Sequence, residues 1–196
     1  VKNLMPVTIN GDGSITGLSV GGLPNGTVDA DTLASNAVTT AKVASGAITR
    51  SLLPTGSVLQ TVQVTTTSQT ENAFSSQQTF LTASITPTDS NNKIMVHVNC
   101  CGTGSRGTGT SFSLRIKRGS TRIWAISNYG GYATGSGAET YPSAMYLDSP
   151  ATTSAVTYTL TGTRTNGGDN CYFNHMNSSG TGSQAGSSMT LMEIAV

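Results

Sequence analysis

Apolar positions along this chain follow two different rules. Between Leu18 and Leu53 they recur at every fifth residue: Leu18, Leu23, Val28, Leu33, Val38, Val43, Ile48 and Leu53. The stretch from Ala34 to Leu53 also divides into two ten-residue units, ASNAVTTAKV and ASGAITRSLL, which match in their small, apolar and Thr positions. An internal repeat of this kind outranks local propensity as a guide to architecture. A period of five fits neither a helix, whose neighbours lie three and four apart, nor a strand, whose faces alternate.

One apolar side chain per pentad cannot make a core alone, and two arrangements can use it. In a single-chain square β-helix each coil buries one residue per side; in an intertwined trimer each chain points one residue per step at a common axis. A β-helix of this length has few coils, and repeat folds bury a core only by stacking several units. A trimer takes its core from partner chains and so escapes the limit on small isolated cores. A flexible linker with accidental spacing is the third reading, and eight consecutive positions on one register count against it. The pattern therefore predicts a repeat stem over residues 18–55, with those eight residues as the core of an intertwined homotrimer.

From Ser57 onward the rule changes to short β runs between Gly-, Ser- and Thr-rich turns. Strands are expected at Val58–Thr65, Phe80–Thr86, Ile94–Cys100, Ser111–Lys117, Arg122–Asn128, Ala144–Asp148, Val156–Thr163, Cys171–Met176 and Ser188–Ala195. Short strands between turn signals read as an all-β sandwich or barrel. Phe112, Leu114 and Ile116 alternate with Ser113, Arg115 and Lys117, the mark of one inward face. Arg118-Gly119-Ser120-Thr121 then reverses the chain into a hairpin. The expected fold class is all-β, a fibrous stem followed by a jelly-roll-like β-sandwich head over 56–196. Before the stem, residues 1–17 form an N-terminal joint or attachment segment, with a strand, a Gly-rich turn and a strand between Val7 and Gly17.

Composition agrees with this pattern. Only 10% of residues are charged, against roughly 25% in ordinary soluble proteins, so the polar surface comes from Ser, Thr, Asn and Gly. A net charge of +1 provides no field to hold a phosphate backbone, which argues against a nucleic-acid partner. No apolar run approaches the roughly 20 residues that span a bilayer, so membrane insertion is not expected. Val1-Lys2-Asn3-Leu4-Met5-Pro6 lacks the apolar core of a secretory signal, and the missing initiator Met is expected of a processed chain or part of a longer product. Three cysteines, Cys100, Cys101 and Cys171, make no disulfide framework. A reducing compartment is the simpler expectation, with Cys100 buried beside Ile94, Val96 and Val98.

Candidate chemistry is sparse. The acidic residues Asp12, Asp29, Asp31, Glu71, Asp89, Glu139, Asp148, Asp169 and Glu193 are scattered, mostly in turns, and no paired-carboxylate motif marks a glycosidase. No catalytic residue is assigned. Cys171 and His175 stand four apart in an expected strand, about 13 Å at strand rise, too far to share one zinc. His97 and Cys101 fail in the same way, so no metal and no cofactor are expected. Arg115, Lys117, Arg118 and Arg122 concentrate positive charge in one hairpin, either as a solvated strand face or as a site for anionic groups of a surface glycan. Longer loops at Gly102–Thr110, Tyr129–Tyr141, Asn166–Asn170 and Asn177–Ser187 are natural places for recognition. Tyr129, Tyr132 and Tyr141 suit stacking on sugar rings, and equally suit closure of the sandwich or a subunit interface. The candidate ligand residues are thus Tyr129, Tyr132, Tyr141, Arg115, Lys117 and Arg122. Asn25-Gly26-Thr27 and Asn177-Ser178-Ser179 match an N-glycosylation sequon.

Several runs carry a family resemblance. Gly56-Ser57-Val58-Leu59-Gln60, Ile85-Thr86-Pro87 before Lys93-Ile94-Met95-Val96, Leu147-Asp148-Ser149-Pro150 and Ser188-Met189-Thr190-Leu191-Met192-Glu193-Ile194 together resemble the C-terminal head of tail-fibre and appendage proteins of tailed bacteriophages, particularly marine ones. Thr40-Ala41-Lys42-Val43-Ala44-Ser45-Gly46-Ala47-Ile48-Thr49 is similar to repeats of such fibres. The resemblance implies a homotrimer on the virion, assembled in the host cytoplasm and held to other virion proteins at its N-terminal end. Its usual role is host recognition through a surface glycan or protein. A purely structural capsid- or tail-decorating appendage and, more remotely, a polysaccharide depolymerase are the alternatives.

Overall fold

In a computed structural model, residues 8–11, 15–16, 28, 31, 33–49, 52–72, 75–105, 109–130, 138–168, 170–175 and 186–196 are described. The chain forms two compact units, Val1–Thr49 and Arg50–Val196.

In the first unit, β1 (Thr8–Ile9) pairs antiparallel with β2 (Ile15–Thr16), the strand-turn-strand read from the sequence. Residues 33–49 contain no strand and are built from successive turns. Ala37 N donates to Ala34 O at 2.9 Å and Ala47 N to Ala44 O at 3.0 Å. The third residue of each turn, Asn36 (φ 65°) or Gly46 (φ 78°), is left-handed, as a type II turn requires and as Asn and Gly tolerate. Between them Thr40–Lys42 forms a 3-10 turn, closed by Lys42 N donating to Thr39 O at 2.8 Å. Each of the pentads from Ala34 to Ile48 thus contributes one turn, which is the structural meaning of a period of five there. On the single chain Val28, Leu33, Val38 and Ile48 are 45–63% exposed, and Val43 is half-buried. Leu18 and Leu23 lie outside the described residues.

The second unit contains β3 (Val58–Thr66), β4 (Thr70–Asn72), β5 (Gln78–Ile85), β6 (Lys93–Asn99), β7 (Thr103–Ser105), β8 (Ser111–Arg118), β9 (Thr121–Gly130), β10 (Ala138–Thr140), β11 (Ser143–Asp148), β12 (Val156–Asn166), β13 (Cys171–Phe173) and β14 (Ser187–Ile194). Its two principal sheets are four-stranded and antiparallel, in the orders β11-β6-β14-β3 and β5-β12-β8-β9. Counting only these long strands, the first neighbours the last and the second neighbours the last but one, which is the strand order of a jelly roll.

Alternation builds the interior. Ile94, Val96 and Val98 of β6 and Met189 and Leu191 of β14 share one buried cluster with residues of the other sheet. Those are Leu81, Ala83 and Ile85 of β5, Phe112, Leu114 and Ile116 of β8, and Val156, Tyr158 and Leu160 of β12. Cys100 is buried as expected, and burial pushes its thiol up to about 12, with Cys101 beside it adding to the effect.

A third sheet, in the order β10-β7-β13-β4, corrects the sequence reading. Gly102–Thr110 was expected to be a loop and contains β7; Tyr129–Tyr141 contains the end of β9 and all of β10. Strands of three residues give no alternation signal. The strand expected over Cys171–Met176 stops at Phe173, because Asn174 takes a left-handed φ of 59°.

Gly162 on β12 lies where the strand meets an aromatic cluster. Phe80 stacks on Phe173 at 4.1 Å and meets Phe112 edge-on at 6.1 Å. A Cβ on Gly162 would fall 2.5 Å from Phe112 Cζ and 2.6 Å from Phe80 Cε2. Gly162→Val is therefore expected to lower unfolding free energy by about 1–3 kcal/mol through overpacking, read as a lower urea midpoint than that of the unaltered protein.

Candidate recognition surfaces

Inward packing of Phe112, Leu114 and Ile116 sends Arg115 and Lys117 to the outer face of the β5-β12-β8-β9 sheet. The hairpin register sets Arg122 directly opposite Lys117, and β12 sets Thr159 beside Lys117 and Thr161 beside Arg115. On the same face the hydroxyls of Ser84 and Thr157 hydrogen-bond at 2.8 Å. The result is a hydroxyl-covered sheet carrying three cations. Directly opposed like charges repel, so an anionic group between Lys117 and Arg122 would relieve the pair. Arg115 is half-buried, and its Nε is shielded from solvent without an acceptor among the described residues.

Arg118 does not belong to this patch. One residue further along β8, it turns to the other side and pairs with Asp148 at 2.8 Å, also donating to Ser149 O at 3.1 Å. Tyr158 OH donates to the same Asp148 oxygen at 2.7 Å. Burial first, then this hydrogen bond and the Asp148 charge, drive the Tyr158 hydroxyl far above the ordinary tyrosine value. The cluster ties β11 to β12 and β8, joining the two sheets.

Of the three tyrosines, only Tyr141 has a described side chain. Tyr129 lies in β9 rather than in a loop, and its side chain is outside the described residues, as is all of Tyr132. Tyr141 is exposed between β10 and β11. The aromatic feature that sequence reading missed is Trp124, 44% exposed on β9. Its ring stacks on Tyr146 of β11 at 5.1 Å and 28°, bridging the edges of the two sheets. It is the only Trp in the sequence, which was the available signal.

A cleft of about 520 Å³ opens where β3 begins and β14 ends, lined by Leu53, Thr55, Leu59, Thr88, Asp89, Asn91, Asn92, Ala195 and Val196. Beneath Asn92 and Thr88 lies Glu193, fully buried on the inward face of β14. Its carboxylate accepts from Gln60 Nε2 at 2.6 Å, Thr88 N at 2.6 Å, Thr88 Oγ1 at 2.7 Å and Asn92 Nδ2 at 2.7 Å. Burial favours the neutral acid, but the donors from Asn92, Thr88 and Gln60 outweigh it and hold the carboxyl below the usual glutamate range. A general acid needs the opposite shift, so Glu193 is a structural anion. The sequence reading missed this buried charge, for which the alternation Met189, Leu191, Glu193 was the available signal.

Among the described residues no group of three His, Cys, Asp or Glu side chains is arranged to hold a metal ion. His175 Nε2 stands 3.9 Å from Glu71, and its ring lies 5.3 Å from that of Tyr172. Cys171 is buried on β13, and desolvation pushes its thiol up to about 11 against a lowering by Arg164.

No family model matches the sequence, and no curated protein matches it. Among solved structures, the chain is similar to the VP2 subviral particle of infectious bursal disease virus, at 12% identity and a TM-score of 0.43 over 71% of this chain and 34% of that one. It is likewise similar to the structure of the Gt strain of that virus, at 13% identity and a TM-score of 0.41 over 71% of this chain and 39% of that one. The chain thus spans little more than a third of the structures it matches. A likeness this weak transfers neither topology nor role. The resemblance to tail-fibre heads rests on the short sequence runs alone.

Because the Glu193 carboxyl is held low in the folded state, its stabilisation is whole above about pH 4.3, the ordinary glutamate value, and is lost as pH falls through the lower folded value. Glu193→Gln presents an amide nitrogen where only acceptors fit, and is expected to cost about 1–3 kcal/mol at pH 7. Urea titrations of both proteins should show that difference shrinking below pH 4.3.

Proposed function

We propose that this chain is a non-enzymatic structural appendage of a tailed-bacteriophage virion, a homotrimer whose stem carries a jelly-roll head toward the host surface. The observation that carries this reading is the five-residue apolar register. Its described residues up to Ile48, Val43 excepted, are largely exposed on the single chain. Regularly spaced side chains of that kind gain stability only when other chains cover them. The jelly-roll strand order and the short runs resembling fibre heads add support, and the two hydrogen-bonded carboxylates Asp148 and Glu193 suit scaffolding better than hydrolysis. Arg115, Lys117 and Arg122 are the side chains best placed to meet an acidic surface glycan.

One observation favours a second reading, an appendage that decorates the particle without a receptor. The cleft lies where β3 begins and β14 ends, the opposite end of β14 from the stretch Asn177–Ser187 named above as a place for recognition.

Sedimentation equilibrium should give three times the 20.0 kDa of one chain, and a mass of 20.0 kDa would overturn the trimer. Val38→Asp combined with Ile48→Asp is expected to shift the protein toward single chains while the head keeps its β circular-dichroism spectrum. For recognition, Lys117→Glu with Arg122→Glu should keep the oligomeric mass but abolish adsorption to host cells; unchanged adsorption would favour the decorating role.

A further inference from the structure

We infer that the outer face of the β11-β6-β14-β3 sheet is a self-association surface, covered by another copy of this chain. The inference rests on the self-associating reading above and locates a second interface for it, in the head.

Alternation that sends Ile94, Val96, Met189 and Leu191 inward sends Met95, Met192 and Ile194 outward, and β11 adds Met145 and Leu147. Register places them side by side: Leu147 opposite Met95, Met95 opposite Met192, and Ile194 opposite Val58. Met145, Val58 and Leu147 are 60%, 51% and 43% exposed, whereas Met95, Met192 and Ile194 are half-buried. Six apolar side chains on one sheet face are unusual on a surface meant for water. The same face also carries Thr61, Gln63, His97 and Thr190 between and beside these side chains, whereas the outer face of the companion sheet offers Thr82, Ser84, Thr157, Lys117 and Arg122.

Two features identify the occupant as this chain itself. Val58 stands five residues after Leu53, so the apolar register takes one further step and arrives on this face, next to Ile194. The surface therefore continues the series of side chains assigned to partner copies. The face is also compatible with itself. Side chains on a threefold axis meet their own equivalents, and no carboxylate projects from these outward positions; Lys93 stands at the margin and His97 is the other ionisable group. The basic face of the companion sheet would repel its own copy.

Methionine oxidation tests this on the full chain, because sulfoxide formation follows exposure. The protein, its mass known from sedimentation, is treated with dilute hydrogen peroxide and its methionine peptides are followed by mass spectrometry. Buried Met189 sets the protected rate, and urea-unfolded protein sets the free rate. In an oligomer the inference expects Met145 to lose its oxidised-peptide signal to the level of Met189. An oligomer whose Met145 oxidises at the free rate overturns the inference and leaves the stem reading standing. A mass of 20.0 kDa overturns both.

Discussion

A β-strand sends its side chains to two sides, and a sandwich offers each sheet only one interior. That constraint governs the whole head. The inward halves of β5, β6, β8, β12 and β14 are consumed in a single cluster of aliphatic and aromatic side chains. The outward halves are left for something else, and the two sheets answer differently. One outer face is made of hydroxyls and cations that water can solvate, while the other sets thioethers and aliphatic groups among Thr61, Gln63, His97 and Thr190.

Where the alternation runs out, the sandwich ends are held by buried ions. Glu193 occupies an inward site and brings together β3 through Gln60, the turn after β5 through Thr88 and Asn92, and its own strand. Asp148 does the same for β11, β12 and β8. An isolated buried carboxylate is costly, and both are tolerated because donors surround them. At Glu193 the same donors hold the carboxyl below the usual glutamate range, the opposite of what a general acid needs.

Much of this was legible in the sequence. The long strands lie within a few residues of their expected positions, because each has a full alternating period: Phe112, Leu114 and Ile116 announce β8 without help from elsewhere. The short strands β4, β7 and β10 were not readable, since three residues hold no period and their pairing depends on distant chain. The basic hairpin was recognised as a cluster, but one residue of parity separates Arg118, committed to Asp148, from Lys117 on the outer face. The stacking of Trp124 on Tyr146 was unreadable because it joins edges of two different sheets, 22 positions apart in the chain. Val58 was hidden for another reason: it belongs to the pentad register and to β3 at once, and the strand pattern masked the older count.

The left-handed turn residues Asn36, Gly46 and Gly56 stand ten positions apart. Turns closed by bonds between residues three apart, as from Ala34 to Ala37 and from Ala44 to Ala47, use no distant strand to fix their geometry. A segment made this way is modular in length. Duplicating or removing one ten-residue unit would return every later apolar side chain to its own phase, whereas a change of three residues would rotate all of them out of it. The length of this segment is thereby decoupled from the fold of the β-sandwich, and a gene can lengthen or shorten it in whole units without redesigning the strands that follow.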